Sequence, residues 1–206
     1  MEYLGLNEYV HIAKPLLMPI LICYVFYNID IINKKSKTYL LLALFFAMLG
    51  DVFLMFSDFN EIFFLIGLSM FLITHGFYIV LFLTTKRDKL NLGKLLVIIL
   101  IIISYYFGLM FVISDKLYSY TIPVYLYGIV LSCMMFIAFI SGYQKQKKIV
   151  VIGAILFVLS DSLIAIDKFY LAASDEFTSS AIMLTYILGQ FFIVYGVTKF
   201  LRSSRI

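Results

Sequence analysis

Charge is scarce in this chain, and histidine, cysteine and proline are scarcer still. Only 14% of its 206 residues are Asp, Glu, Lys or Arg, where soluble globular chains carry about 25%. With 64% hydrophobic residues and a mean hydropathy of +1.05, the composition excludes a water-soluble domain and points to an integral membrane protein. The two cysteines, Cys23 and Cys133, both lie in apolar runs. They form neither a disulfide framework nor a CxxC knuckle, and read as small apolar packing residues. Of the two histidines only His75 sits inside an apolar run, so no HxxxH or HExxH zinc pair exists. No Pro/Gly/Ser-rich linker or low-complexity tract divides the chain, and residues 1–206 are expected to form a single transmembrane domain. The net charge of +4 is no nucleic-acid signal, because the basic residues sit in short loops between apolar runs. Met1–Ala13 contains Glu2, Glu8 and His11 and no basic n-region, so no cleavable signal peptide is expected.

What is present is a series of apolar runs near the roughly 20 residues that a helix needs to cross a bilayer. The expected fold class is all-α: a polytopic transmembrane helical bundle of seven spans. These are Pro15–Ile29, Tyr39–Phe56, Ile62–Thr84, Lys94–Ile113, Tyr120–Ser141, Ile149–Ile166 and Ser180–Leu201. The first is short and could begin nearer Asn7, with a bend at Pro15 or Pro19. Barrel strands are disfavoured, because the runs lack period-2 alternation. Threading the seven spans puts thirteen of the 16 Lys and Arg residues on one side. Lys14, Lys116 and Lys168 fall on the other, together with Asp58, Glu61, Asp115, Asp167, Asp175 and Glu176. The positive-inside rule then places the N-terminus outside and the C-terminus in the cytoplasm.

Two aspartates interrupt the apolar runs in matching contexts. Leu49-Gly50-Asp51 lies in AMLGDVFLMF, and Leu159-Ser160-Asp161 in GAILFVLSDSLIAI. A carboxylate within hydrocarbon costs roughly 2.5–3.5 kcal/mol on insertion scales, so such residues face a protein interior or polar cavity and commonly carry function. Each Asp-bearing span is followed by a returning span with a lone polar residue, His75 or Gln190. Residues 39–84 and 149–201 therefore read as a weak parallel repeat. Asp51 and Asp161 each lie about 18 Å from the inner start of their spans, at 1.5 Å per residue, which suggests one shared cavity. His75 and Tyr78 share a helix face at i, i+3, as do Tyr186 and Gln190 at i, i+4. Plainer readings stand beside these. The aspartates could be a hydrogen-bonded structural pair, His75 and Gln190 interhelical glue, and Lys14 a snorkelling anchor. Tyr39, Tyr118, Tyr120 and Tyr170 near span ends read as an aromatic belt.

Taken in order, Lys14-Pro15-Leu16, Gly50-Asp51, His75 with Tyr78, Gly153-Ala154 with Phe157 and Ser160-Asp161, and Tyr186 with Gln190 resemble the YhhN-like lysoplasmalogenase family of polytopic membrane proteins. The resemblance runs from Lys14 to about Val194. Family members are commonly read as having eight spans, and the expectation is that this chain lacks the first. The resemblance implies a hydrolase in the bacterial plasma membrane that cleaves the vinyl-ether bond of a lysophospholipid partner. The products are a fatty aldehyde and glycerophospho-ethanolamine or -choline.

That reaction begins with proton transfer to the β-carbon of the vinyl ether. Water captures the resulting oxocarbenium ion as a hemiacetal, which collapses to aldehyde and alcohol. It needs a carboxylic acid that keeps its proton and a carboxylate that activates water, and a low-dielectric cavity shared by two such groups favours this division. On this reading Asp51 and Asp161 are catalytic, with His75 and Tyr78 orienting water or an aspartate. Gln190 holds the leaving oxygen, with Ser160 and Tyr186 lining the substrate. Lys14, ahead of Pro15 at a helix start, offers a phosphate site. No cofactor or metal is expected. Two other classes stay open: a metal-dependent lipid hydrolase using the Asp and His residues, and a proton-coupled transporter using the aspartate pair.

Overall fold

The computed structural model describes residues 17–28, 34–57, 59–88, 90–171 and 176–203. Its elements are seven α-helices: α1 (Leu17–Asn28), α2 (Lys34–Met55), α3 (Glu61–Leu83), α4 (Leu92–Ile113), α5 (Thr121–Ile140), α6 (Lys147–Phe169) and α7 (Glu176–Ser203). No strand occurs among the described residues. Helices α2 to α7 contain 20 to 28 residues and so run roughly 30–42 Å at 1.5 Å per residue. All six are long and apolar enough to cross a membrane. Helix α1 is shorter, roughly 18 Å by the same rise. The expected ends Pro15 and Ile29 lie outside the described residues, as does Lys14.

The helices outrun the apolar segments at several ends. Helix α2 starts at Lys34 rather than Tyr39, and α7 runs from Glu176 to Ser203 rather than from Ser180 to Leu201. Hydrophobicity marks only the part of a helix that lies in hydrocarbon. Lysines at an interface continue the backbone hydrogen bonding, with their charged ends in water.

The chain divides into two compact units, Met1–Tyr78 and Ile79–Ile206, so α3 begins in one and ends in the other. In the first unit, α2 buries Leu40, Ala43, Leu44, Ala47, Gly50 and Asp51, a single stripe at helical spacing. Gly50 has no side chain because the Phe71 ring occupies the space: a Cβ there would lie 2.7 Å from it. Gly67 accepts Leu54 in the same way, at 2.8 Å. Thr74 adds a polar tether, its hydroxyl donating to Ala43 O at 3.3 Å and to Met70 O at 3.0 Å. Phe46 stacks on Phe77 with centroids 5.7 Å apart. Asn60 starts α3 by accepting from Ile62 N–H at 2.9 Å.

In the second unit, α6 and α7 pack along an extensive shared interface. A Cβ on Gly153 would lie 2.7 Å from Ile193 N, and one on Gly189 would lie 2.8 Å from Phe157 N. Small residues at both positions bring the two backbones together, as membrane helix pairs require when apolar burial offers no net drive to associate. Helix α5 packs on α4 and α6, and α4 also touches α6. Of the six spans α4 is the least buried and α7 the most. Cys23 and Cys133 are exposed rather than packed inside. Lipid-facing positions are as apolar as the core, and the sequence does not separate the two.

Candidate active site

Asp161 lies on the buried stripe of α6, with Val150, Gly153, Ala154, Phe157 and Val158. It is 6% exposed, so its carboxyl faces the protein and not lipid. The Tyr127 hydroxyl, on α5, donates to Asp161 Oδ2 at 2.5 Å. The neighbours on either side are engaged too. Ser160 Oγ donates to Ile182 O on α7 at 3.1 Å. Ser162 gives its proton to Val158 O at 2.6 Å, so the hydroxyl of Tyr105 on α4 is the donor in its bond to Ser162 Oγ.

Successive residues of an α-helix point about 100° apart. Ser160, Asp161 and Ser162 use this to bond three different helices: α7, α5 and α4. A carboxyl so placed has a fixed orientation.

On α7, Tyr186 is buried and packs edge-on against Phe157 of α6, with ring centroids 5.6 Å apart. Gln190 is fully buried one turn further along. The close approach at Gly153 and Gly189 thus lies in the same interface as Phe157, Ser160 and Tyr186.

Asp51, His75 and Tyr78 belong to the first unit, where all three are buried: Asp51 is 6% exposed, and His75 and Tyr78 0%. Asp51 ends the buried stripe of α2, one turn before the helix terminus, whereas Asp161 lies about two turns before the end of α6. In both helices the residue before the aspartate faces the returning helix. Gly50 receives the Phe71 ring of α3, and Ser160 bonds Ile182 O of α7. The Gly-Asp and Ser-Asp pairs therefore have a packing cause as well as a chemical one. Among the described residues no group of three or more His, Cys, Asp or Glu side chains is placed to hold a metal ion.

Ser160, Asp161, Tyr186 and Gln190 stand out in the sequence, whereas Tyr105, Tyr127 and Ser162 join them only in the structure. A signal existed. Tyr105 and Tyr127 lie well inside their spans, away from the interfacial belt, and a tyrosine hydroxyl in that position needs a partner.

Among the described residues, six helices long and apolar enough to cross a membrane, with a tyrosine-held aspartate among them, define a polytopic integral membrane protein with a buried carboxyl site. Residues 9–197 match the model of the YhhN family, and the chain belongs to that family. No curated protein and no solved structure matches it.

Proposed function

We propose that the protein is a membrane-embedded hydrolase that cleaves the vinyl-ether bond of lysoplasmalogens, with Asp161 as a proton-transfer group. Membership of the YhhN family supports the class of activity. The observation that carries the residue assignment is the bond from Tyr127 to the buried Asp161 carboxyl. Proton transfer to the alkenyl β-carbon makes the oxocarbenium ion. Water adds to it, and collapse of the hemiacetal releases fatty aldehyde and the glycerophospho alcohol. Ser160, Tyr186 and Gln190 supply the polar and aromatic wall from α6 and α7. Roles for Asp51, His75 and Tyr78 in the same reaction rest on their burial and on the family resemblance, and a phosphate-binding role for Lys14 rests on the resemblance. The distribution of lysine and arginine supports a C-terminus in the cytoplasm, and a place in a bacterial plasma membrane rests on the family resemblance.

The test is incubation of the purified chain with lysophospholipids bearing alkenyl, acyl or alkyl linkages, with aldehyde release as the readout. Aldehyde from the alkenyl substrate alone is expected, with turnover lost in Asp161→Asn and Asp51→Asn. Absence of aldehyde from every substrate would end the hydrolase reading. Chelator-sensitive release would move it to the metal-dependent class, and proton-coupled flux into liposomes without chemical change to the transporter class.

A structural reading is favoured by one specific observation: three consecutive polar residues each bond a different helix, as interhelical glue does. The two readings part on Asp161→Asn. Glue loses thermal stability, whereas chemistry loses turnover with the fold intact.

A further inference from the structure

At one end of the second unit the α3–α4 and α5–α6 connections are knitted together. Asp88 N–H donates to Ile140 O at 3.0 Å, and Gly142 N–H donates to Thr85 Oγ1 at 3.0 Å. Lys147 Nζ pairs with Asp88 Oδ2 at 2.6 Å. Residue 142 is glycine because the Lys86 carbonyl fills the space, 1.7 Å from where a Cβ would stand. Tyr143 anchors the platform from below. It is buried edge-on against Phe82 and Phe200, with centroids 6.0 and 5.1 Å away.

A groove of about 520 Å³ opens beside this platform. Lys94 and Lys147 line it, at or near the starts of α4 and α6, together with Val97, Ile98 and Phe139. Asn91 is already engaged, capping α4 by accepting from Lys94 N–H at 2.8 Å. Lys147 is answered by Asp88, but no carboxylate among the described residues pairs with Lys94. Residues 84–94 and 141–148 carry seven Lys and Arg side chains against the single acid Asp88. The groove is thus cationic at the end of the spans and apolar along them. Basic pockets between membrane helices with this arrangement suit an anionic lipid head group and one of its chains.

We propose that this groove binds an anionic phospholipid, its phosphate against Lys94 and Lys147 and one acyl chain along Val97, Ile98 and Phe139. The inference stands apart from the hydrolase reading, since no residue of the candidate active site lines the groove.

The test is binding of phosphatidylglycerol to the purified full chain, followed by native mass spectrometry, with thermal stability measured in phosphatidylcholine vesicles with and without phosphatidylglycerol. Retained phosphatidylglycerol and a raised melting temperature are expected. Lys94→Gln should weaken binding about fivefold, as for one lysine near a charged lipid surface, and Lys94→Arg should restore it. Lys199→Gln, which removes the same charge outside the groove, should leave binding unchanged. The proposal is overturned if Lys94→Gln binds like wild type or if Lys199→Gln weakens binding equally. It is also overturned if phosphatidylcholine is retained as well as phosphatidylglycerol, or if inorganic phosphate displaces the lipid at comparable concentration. The last result would mark a site for a free anion. Aldehyde release by Lys94→Gln should equal wild type, so failure here leaves the hydrolase reading standing, and the reverse.

Discussion

Replacing Gly189 by alanine tests the α6–α7 contact on which the candidate site is built. The added Cβ would lie 2.8 Å from Phe157 N, 3.1 Å from Gly153 O and 3.2 Å from Phe157 Cα. All three are backbone atoms, and none can swing aside as a side chain would. Ordinary contact begins near 3.4 Å, so the helices must part by about 0.6 Å or tilt. Overpacking of this kind costs about 1–3 kcal/mol. The same displacement would stretch the Ser160 Oγ to Ile182 O bond, now 3.1 Å, to about 3.7 Å, beyond hydrogen-bonding range. Gly153→Ala should act alike, since its Cβ would lie 2.7 Å from Ile193 N and 2.9 Å from Gly189 O. The double variant should lose less than the sum of the two, because helices already parted accept the second methyl more easily. Gly108→Ala is the control, with nothing within 4 Å of its added Cβ. The assay is unfolding in mixed detergent micelles at increasing dodecyl sulfate. Equal midpoints for Gly189→Ala and Gly108→Ala would refute the argument that backbone proximity at these glycines holds α6 to α7.

Three further outcomes are expected. Tyr127→Phe removes the phenol that orients Asp161. A hydrogen bond of this kind contributes about 0.5–1.5 kcal/mol, so aldehyde release should fall roughly 2- to 10-fold while the protein stays folded; unchanged turnover would take Tyr127 out of the site. Thr74→Val removes the tether to Ala43 O at 3.3 Å and should cost only about 0.6 kcal/mol, typical of a hydrogen bond between membrane helices. A loss above about 3 kcal/mol in the same micelle assay would mean that Thr74 does more than this one weak bond. Gly142→Ala should force the two connections apart, since its Cβ would collide with Lys86 O at 1.7 Å. Trypsin should then cut after Lys86 or Arg87 faster than in wild type, and an unchanged cleavage rate would contradict the knitted platform.

The number and order of the helices were legible in the residues, because hydrocarbon selects continuous apolar runs of a set length. Asp51 and Asp161 stood out for the same reason, since a charge in an apolar segment needs a cause. The buried faces were not legible. In α2, α3 and α7 one side is scarcely more apolar than another, because lipid and protein interior are equally oily. Which tyrosines mattered was also hidden. Tyr105 and Tyr127 acquire their roles from Ser162 and Asp161, 57 and 34 residues away along the chain. The glycines showed the same limit: Gly108 and Gly189 look alike in sequence, yet only one meets a neighbouring backbone. By itself the sequence determined that the chain crosses a membrane as helices and that two acids lie within it, since both follow from solvation along one dimension. Only the tertiary structure decided what holds Asp161, through which hydroxyls and across which helices, because those bonds join residues far apart in the chain that packing alone brings within reach.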